Sequence, residues 1–91
     1  MAVPETPLIA RGRATYQTFC IACHNSDPRK PGAVGPDVAF STPQLIELRI
    51  MEAKYPPGYT PKRPGGIMPA MPQLKDEIEG LVAYLNALKR K

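Results

Sequence analysis

Five consecutive residues, Cys20-Ile21-Ala22-Cys23-His24, contain both cysteines and the single histidine of a 91-residue chain. Two thiols at C-x-x-C spacing followed at once by an imidazole have four chemical uses. A structural zinc site needs four Cys or His ligands. This chain offers three, all within residues 20–24, too close together for a good tetrahedron. A thioredoxin-like redox pair expects a βαβ context, and no strand pattern accompanies the motif. A disulfide across two intervening residues closes so small a loop that it staples almost nothing. The fourth use is covalent haem attachment. The thiols reach the two vinyl groups of one macrocycle and form thioethers, and the adjoining imidazole serves as proximal ligand to the iron. The expectation is one haem c, bound through Cys20 and Cys23, with His24 on the metal.

A haem that carries single electrons needs a second axial ligand that is soft and neutral, because a thioether favours reduced iron and raises the potential. There are four methionines. Met1 is terminal, and Met51 falls within a predicted helix, where it packs as core. Met68 and Met71 share one loop, and each is followed by proline. On residue type alone, both are candidates.

The elements that must position these groups are three predicted helices. The first spans about Leu8 to Cys20, preceded by Pro4 and Pro7, with Leu8, Tyr16, Phe19 and Cys20 on one face. The second spans about Thr42 to Ala53. Ser41 and Gln44 fit a capping box, Pro43 occupies the first turn, and Tyr55-Pro56-Pro57-Gly58 ends the segment. The third spans about Asp76 to Leu88, with Ile78, Leu81, Val82, Leu85 and Leu88 at amphipathic spacing. Asp76 and Glu77 at its start and Lys89 to Lys91 at its end suit the helix dipole. Two long loops, about 25–40 and 55–73, join the helices, and the second holds six of the twelve prolines. Structureless loops of that length are unusual in so small a domain; they make sense when they wrap a cofactor.

Composition agrees. Ninety-one residues predict one domain, 1–91, with 1–7 a short extended or flexible segment. A core that small is marginal without a disulfide, metal or cofactor. There is no tryptophan and there are six other aromatics, so large rings cannot fill it. The formal net charge of +4 is modest and suits docking to an acidic protein surface. No basic stripe interleaved with aromatics points to nucleic acid. No apolar run spans a bilayer, and the N-terminus lacks a secretory signal. Because C-x-x-C-H haem attachment takes place outside the bacterial cytoplasm, a periplasmic location is expected, with Met1 replacing an export signal or membrane anchor.

In this order, C-x-x-C-H, Gly35-Pro36, Met68-Pro69 and a closing Leu81-Val82-Ala83-Tyr84-Leu85 segment resemble the class I c-type cytochromes, in particular their small bacterial monohaem members. Gly12 and Tyr16 ahead of Cys20 extend the likeness. The resemblance implies an all-α cytochrome c fold, three main helices with proline-rich loops wrapped around one covalent haem. It implies that the first and last helices cross at Gly12 and that the Pro36 carbonyl accepts the N–H of His24. It also selects Met68 as the sixth ligand, with Met71 as the alternative, because a Met-Pro pair in that family stands six or seven residues before the leucine corresponding to Leu74. Gly65-Gly66 would let the backbone approach the ring there. The propionate partners expected from position are Tyr59 or Arg63, ahead of Arg49, Lys54, Tyr55 and Lys62. The function implied is single-electron transfer between larger redox proteins, an oxidase, reductase or dehydrogenase, by a monomer that is not itself an enzyme. Two alternatives stay open: a five-coordinate haem enzyme or gas-binding protein, and the cytochrome domain of a larger membrane-tethered oxidase or dehydrogenase.

Overall fold

Thr6 starts the first helix. Its hydroxyl accepts a hydrogen bond from the Ile9 N–H at 3.2 Å, and α1 runs from Pro7 to Phe19. The structure is a computed structural model that describes residues 6–62 and 68–88. Pro7 therefore belongs to the helix and not to an extended lead-in: its fixed φ suits the first helical position and its missing N–H costs nothing there. Cys20 is the C-cap, one residue past the helix. The expected face also needs correction. Tyr16 is 1% exposed, but Leu8 and Phe19 are 37% and 47% exposed, and the buried stripe is Gly12, Thr15 and Tyr16.

The second helix, α2, spans Pro43–Glu52. Its N-cap is Thr42, not Ser41: the Thr42 hydroxyl accepts from the Leu45 N–H at 3.2 Å, while Ser41 donates to the Val38 carbonyl at 2.6 Å. Both caps thus use Thr-Pro, with the hydroxyl and the proline together setting the start. Ala53 closes α2 in the left-handed conformation, φ 57°, ahead of the proline pair. The third predicted helix divides in two. Pro72–Glu77 forms a 3-10 helix with no side-chain cap, and α3 continues from it over Ile78–Ala87. Among the described residues there are three α-helices and no strands, so the all-α fold stands. None of these helices is long and apolar enough to cross a membrane.

Packing centres on α1 against α3. A Cβ placed at Gly12 would collide with the Gly80 carbonyl and lie 2.9 Å from Tyr84 Cβ, so the two backbones touch where neither carries a side chain. Tyr16 and Tyr84 flank the crossing with ring centroids 5.8 Å apart. Ile46 and Ile50 from α2 join Tyr16, Leu74, Leu81, Tyr84 and Leu85 in one buried cluster. The 25–40 loop is tied down at several points. Asn25 accepts from the Tyr16 hydroxyl at 2.5 Å, Val38 and Ala39 donate to the Pro28 carbonyl, and Phe40 donates to the Leu85 carbonyl at 2.9 Å. These backbone hydrogen bonds let so irregular a segment hold a shape.

Candidate functional site

The chain leaves α1 through Cys20, and one tight turn carries it to His24. The His24 and Cys23 N–H groups both donate to the Cys20 carbonyl, at 2.9 and 3.3 Å. The Cys23 carbonyl in turn accepts from Val34 at 3.1 Å and Gly35 at 2.9 Å, which folds the following loop back over the histidine. His24 Nδ1 lies 2.9 Å from the Pro36 carbonyl oxygen. That oxygen can only accept, so Nδ1 donates, and in the neutral ring Nε2 keeps the lone pair that a metal would take. A Cβ at Gly35 would run into the imidazole ring. The ring is thus held on one side by a hydrogen bond and allowed its place on the other by a glycine.

Cys20 and Cys23 are free, half-buried thiols. Burial pushes the Cys20 thiol up to about 11. A nucleophilic thiol of a redox pair has the opposite shift, towards thiolate at neutral pH, so Cys20 does not have the environment of one. Among the described residues no group of three or more His, Cys, Asp or Glu side chains is arranged to hold a metal ion.

Both thiols and His24 line a cleft of about 320 Å³. Its walls are largely apolar: Phe19 and Val34 near the thiols, Leu45, Ile46 and Ile50 from α2, and Leu81 and Leu85 from α3. Met68, Pro69 and Met71 complete it, so both candidate thioethers face one space with the imidazole. The Met71 N–H donates to the Ile50 carbonyl at 2.7 Å, and the Leu74 N–H donates to the Met71 carbonyl at 2.9 Å. These bonds pin the methionine loop between α2 and the 3-10 helix. The donor set fits a haem: two thiols, an imidazole oriented for metal ligation, thioethers, and an apolar wall able to exclude water.

The polar candidates separate. Tyr59 lines the cleft and stacks on Tyr55 with centroids 5.4 Å apart and an interplanar angle of 11°. Arg49 also lines it, with its guanidinium 4.1 Å over the Tyr55 ring. Lys62 lines it and donates to Asp37 Oδ2 at 2.9 Å. Lys54 lies elsewhere, 3.5 Å from Glu52 at the surface. Arg63 and Gly65-Gly66 lie outside the described residues, as do Lys89 to Lys91.

Sequence reasoning passed over three features. Gly80 is the counterpart of Gly12, and a glycine inside an otherwise regular apolar helix pattern was the available signal, because it costs about 1 kcal/mol against alanine and needs a packing reason. Gly35 gives room to the imidazole, which only the folded loop reveals. Glu77 accepts two hydrogen bonds from Arg11, each at 2.7 Å, and one from the Thr15 hydroxyl at 3.3 Å, joining α1 to the end of the 3-10 helix. No local pattern announces that contact.

Compared with known families, residues 7–85 match the model described as cytochrome c oxidase, cbb3-type, subunit III. No curated protein and no solved structure gives a significant match.

Proposed function

The chain belongs to the family described as cytochrome c oxidase, cbb3-type, subunit III, a family of c-type cytochrome domains that bind haem c covalently, and from that premise we propose how its residues hold the haem and whom it serves. The c-type cytochrome domain is an electron carrier; when bound, the haem supplies an iron that takes up and releases one electron. Cys20 and Cys23 would attach it as thioethers. His24 would ligate the iron through Nε2, with the Pro36 carbonyl, 2.9 Å from Nδ1, orienting the ring. Met68 would supply the second ligand from the loop pinned to α2. With both ligand positions filled the iron would offer no place for substrate, and on this reading the chain passes electrons on and does not turn over a substrate. The family description points to an oxidase complex as the partner, and the basic balance of the chain suits an acidic docking face on it. The C-x-x-C-H motif supports a periplasmic location, because haem attachment at such a motif takes place outside the bacterial cytoplasm.

One observation carries the reading: an imidazole locked by the Pro36 carbonyl at 2.9 Å, with Nε2 free, lines the same apolar cleft as the C-x-x-C thiols and Met68. The test is the optical spectrum of oxidised Met68→Ala and Met71→Ala holoproteins. Met68→Ala should lose the far-red iron–thioether band and low-spin character, and Met71→Ala should retain both. Loss in Met71→Ala alone would transfer the ligand role to Met71. Absence of the band from the unmodified protein would mean that neither methionine is a ligand.

A further inference from the structure

The two long loops are held very differently. Pro28, Gly35 and Ala39 are buried in the 25–40 loop, and its Val38 and Ala39 N–H groups donate to the Pro28 carbonyl at 2.9 and 3.0 Å. From Ala53 to Lys62, by contrast, no residue is buried. That stretch is nonetheless one wall of the cleft, through Tyr55, Tyr59 and Lys62. Within it the Tyr59 N–H donates to the Pro56 carbonyl at 3.1 Å, the Tyr55 and Tyr59 rings stack, and Arg49 of α2 rests on Tyr55. These contacts reach only α2 and the stretch itself. A segment without a buried apolar anchor opens at little cost, ahead of the rest of the molecule. Lys62 links it to something firmer. Its ammonium donates to Asp37 Oδ2 at 2.9 Å and to the Asp37 carbonyl at 3.2 Å, across a separation of 25 residues. Asp37 lies on the anchored loop, between Val38 and Pro36, whose carbonyl is 2.9 Å from His24 Nδ1. Both Asp37 and Lys62 line the cleft.

We propose that Lys62 is a positioning residue: through its two bonds to Asp37 it straps the 53–62 wall to the histidine-side loop, and so sets how readily small ligands from solvent reach the iron. One ammonium bonded to a carboxylate and a carbonyl of the same residue fixes where the wall closes as well as holding it there. The strap is exposed, with side chains 45% and 42% accessible, so it is a fastening that opens and closes and not a part of the core. Its removal should leave global stability nearly unchanged while raising the population in which the wall is open. The role rests on the haem reading above, which the spectrum of the unmodified holoprotein tests on its own. Hydrogen exchange of the Tyr59 amide reports the opening of the wall without reference to the iron's ligands.

The experiment compares unmodified ferric holoprotein with Lys62→Met, Asp37→Ala, the two combined and, as a surface control off the cleft, Lys54→Met. Imidazole is added, and its rate of binding is read from the loss of the far-red band. Each single variant of the pair should bind imidazole about two- to fivefold faster than unmodified protein, the range expected of one exposed ion pair. The double variant should be no faster than the faster of the two, because both changes remove the same link. Lys54→Met should bind at the unmodified rate, and the denaturant midpoints should stay close together throughout. An unaltered rate in Lys62→Met, additive effects in the double variant, or an equal rise in Lys54→Met would overturn the strap. Where the far-red band is missing from unmodified protein, exchange at the Tyr59 amide decides, and it should be faster in Lys62→Met. Where the variants fail to retain haem, the same amide in unmodified protein should exchange faster as added salt screens the pair. Exchange indifferent to the substitution, or to salt, contradicts the proposal.

Discussion

At the scale of single residues the site depends on small atoms in tight places. Gly35 shows this best, because the space that a Cβ would need is taken by the His24 ring. In Gly35→Ala either the ring turns off the Pro36 carbonyl or the 32–36 loop lifts away. Overpacking of this kind typically costs about 1–3 kcal/mol. Denaturant unfolding of the Gly35→Ala holoprotein should show a loss of that order, together with an altered axial-ligand spectrum. Unchanged stability and spectrum would mean that the loop does not position the imidazole. Residue chemistry was the part most legible beforehand. Cys20, Cys23 and His24 announce themselves because few chemistries use that spacing, and the Met-Pro pairs single out Met68 and Met71 as the candidates for a second ligand. Gly35 could not be read the same way. Its place comes from a loop folded onto an imidazole, which is not a property of a linear pattern.

At the scale of elements, caps and contacts between elements decide where the groups stand. The Thr-Pro starts of α1 and α2 lie one residue from where spacing alone put them, because a threonine hydroxyl followed by proline outcompetes the alternatives. The 3-10 helix before α3 was not legible, since its Pro72 start and uncapped end look like the approach to an ordinary helix. Arg11 and Glu77 anchor that 3-10 helix to α1, and the anchor has a pH signature. The Arg11 guanidinium, through its hydrogen bonds to the carboxylate, holds Glu77 below the usual glutamate range. A carboxyl group lowered in the folded state contributes stability that is present above its unfolded value, about 4.3, and is lost as pH falls through the lower folded value. The Tm gap between unmodified protein and Glu77→Gln should therefore be open at neutral pH and narrow below about pH 4. The pair is exposed to solvent, with Arg11 58% accessible, so the gap should be small and shrink with added salt. A gap independent of pH would mean that the contact stabilises by packing alone.

At the scale of the whole molecule, five of the seven residues of the buried cluster among the described residues, Tyr16, Ile46, Ile50, Leu81 and Leu85, also line the cleft. The fold class was legible from three amphipathic segments and the absence of a strand pattern. The crossing of α1 and α3 was legible at Gly12 but not at Gly80, because a close approach of two backbones needs both surfaces to be seen. So small a core predicts that folding depends on the haem, as binding to the native state alone adds stability. Cys20→Ala/Cys23→Ala protein, produced without haem, should show much weaker helical circular dichroism than the holoprotein and no cooperative thermal transition. A sharp transition with full helicity would show that the polypeptide core suffices.

The most direct test of the central claim is the mass of the purified protein under denaturing conditions. Intact protein unfolded in acid acetone should keep its colour with the polypeptide, weigh one haem more than the chain, and yield a modified peptide containing Cys20 and Cys23. A colourless polypeptide of unmodified mass, with the pigment washed into the solvent, would contradict covalent attachment and the account built on it.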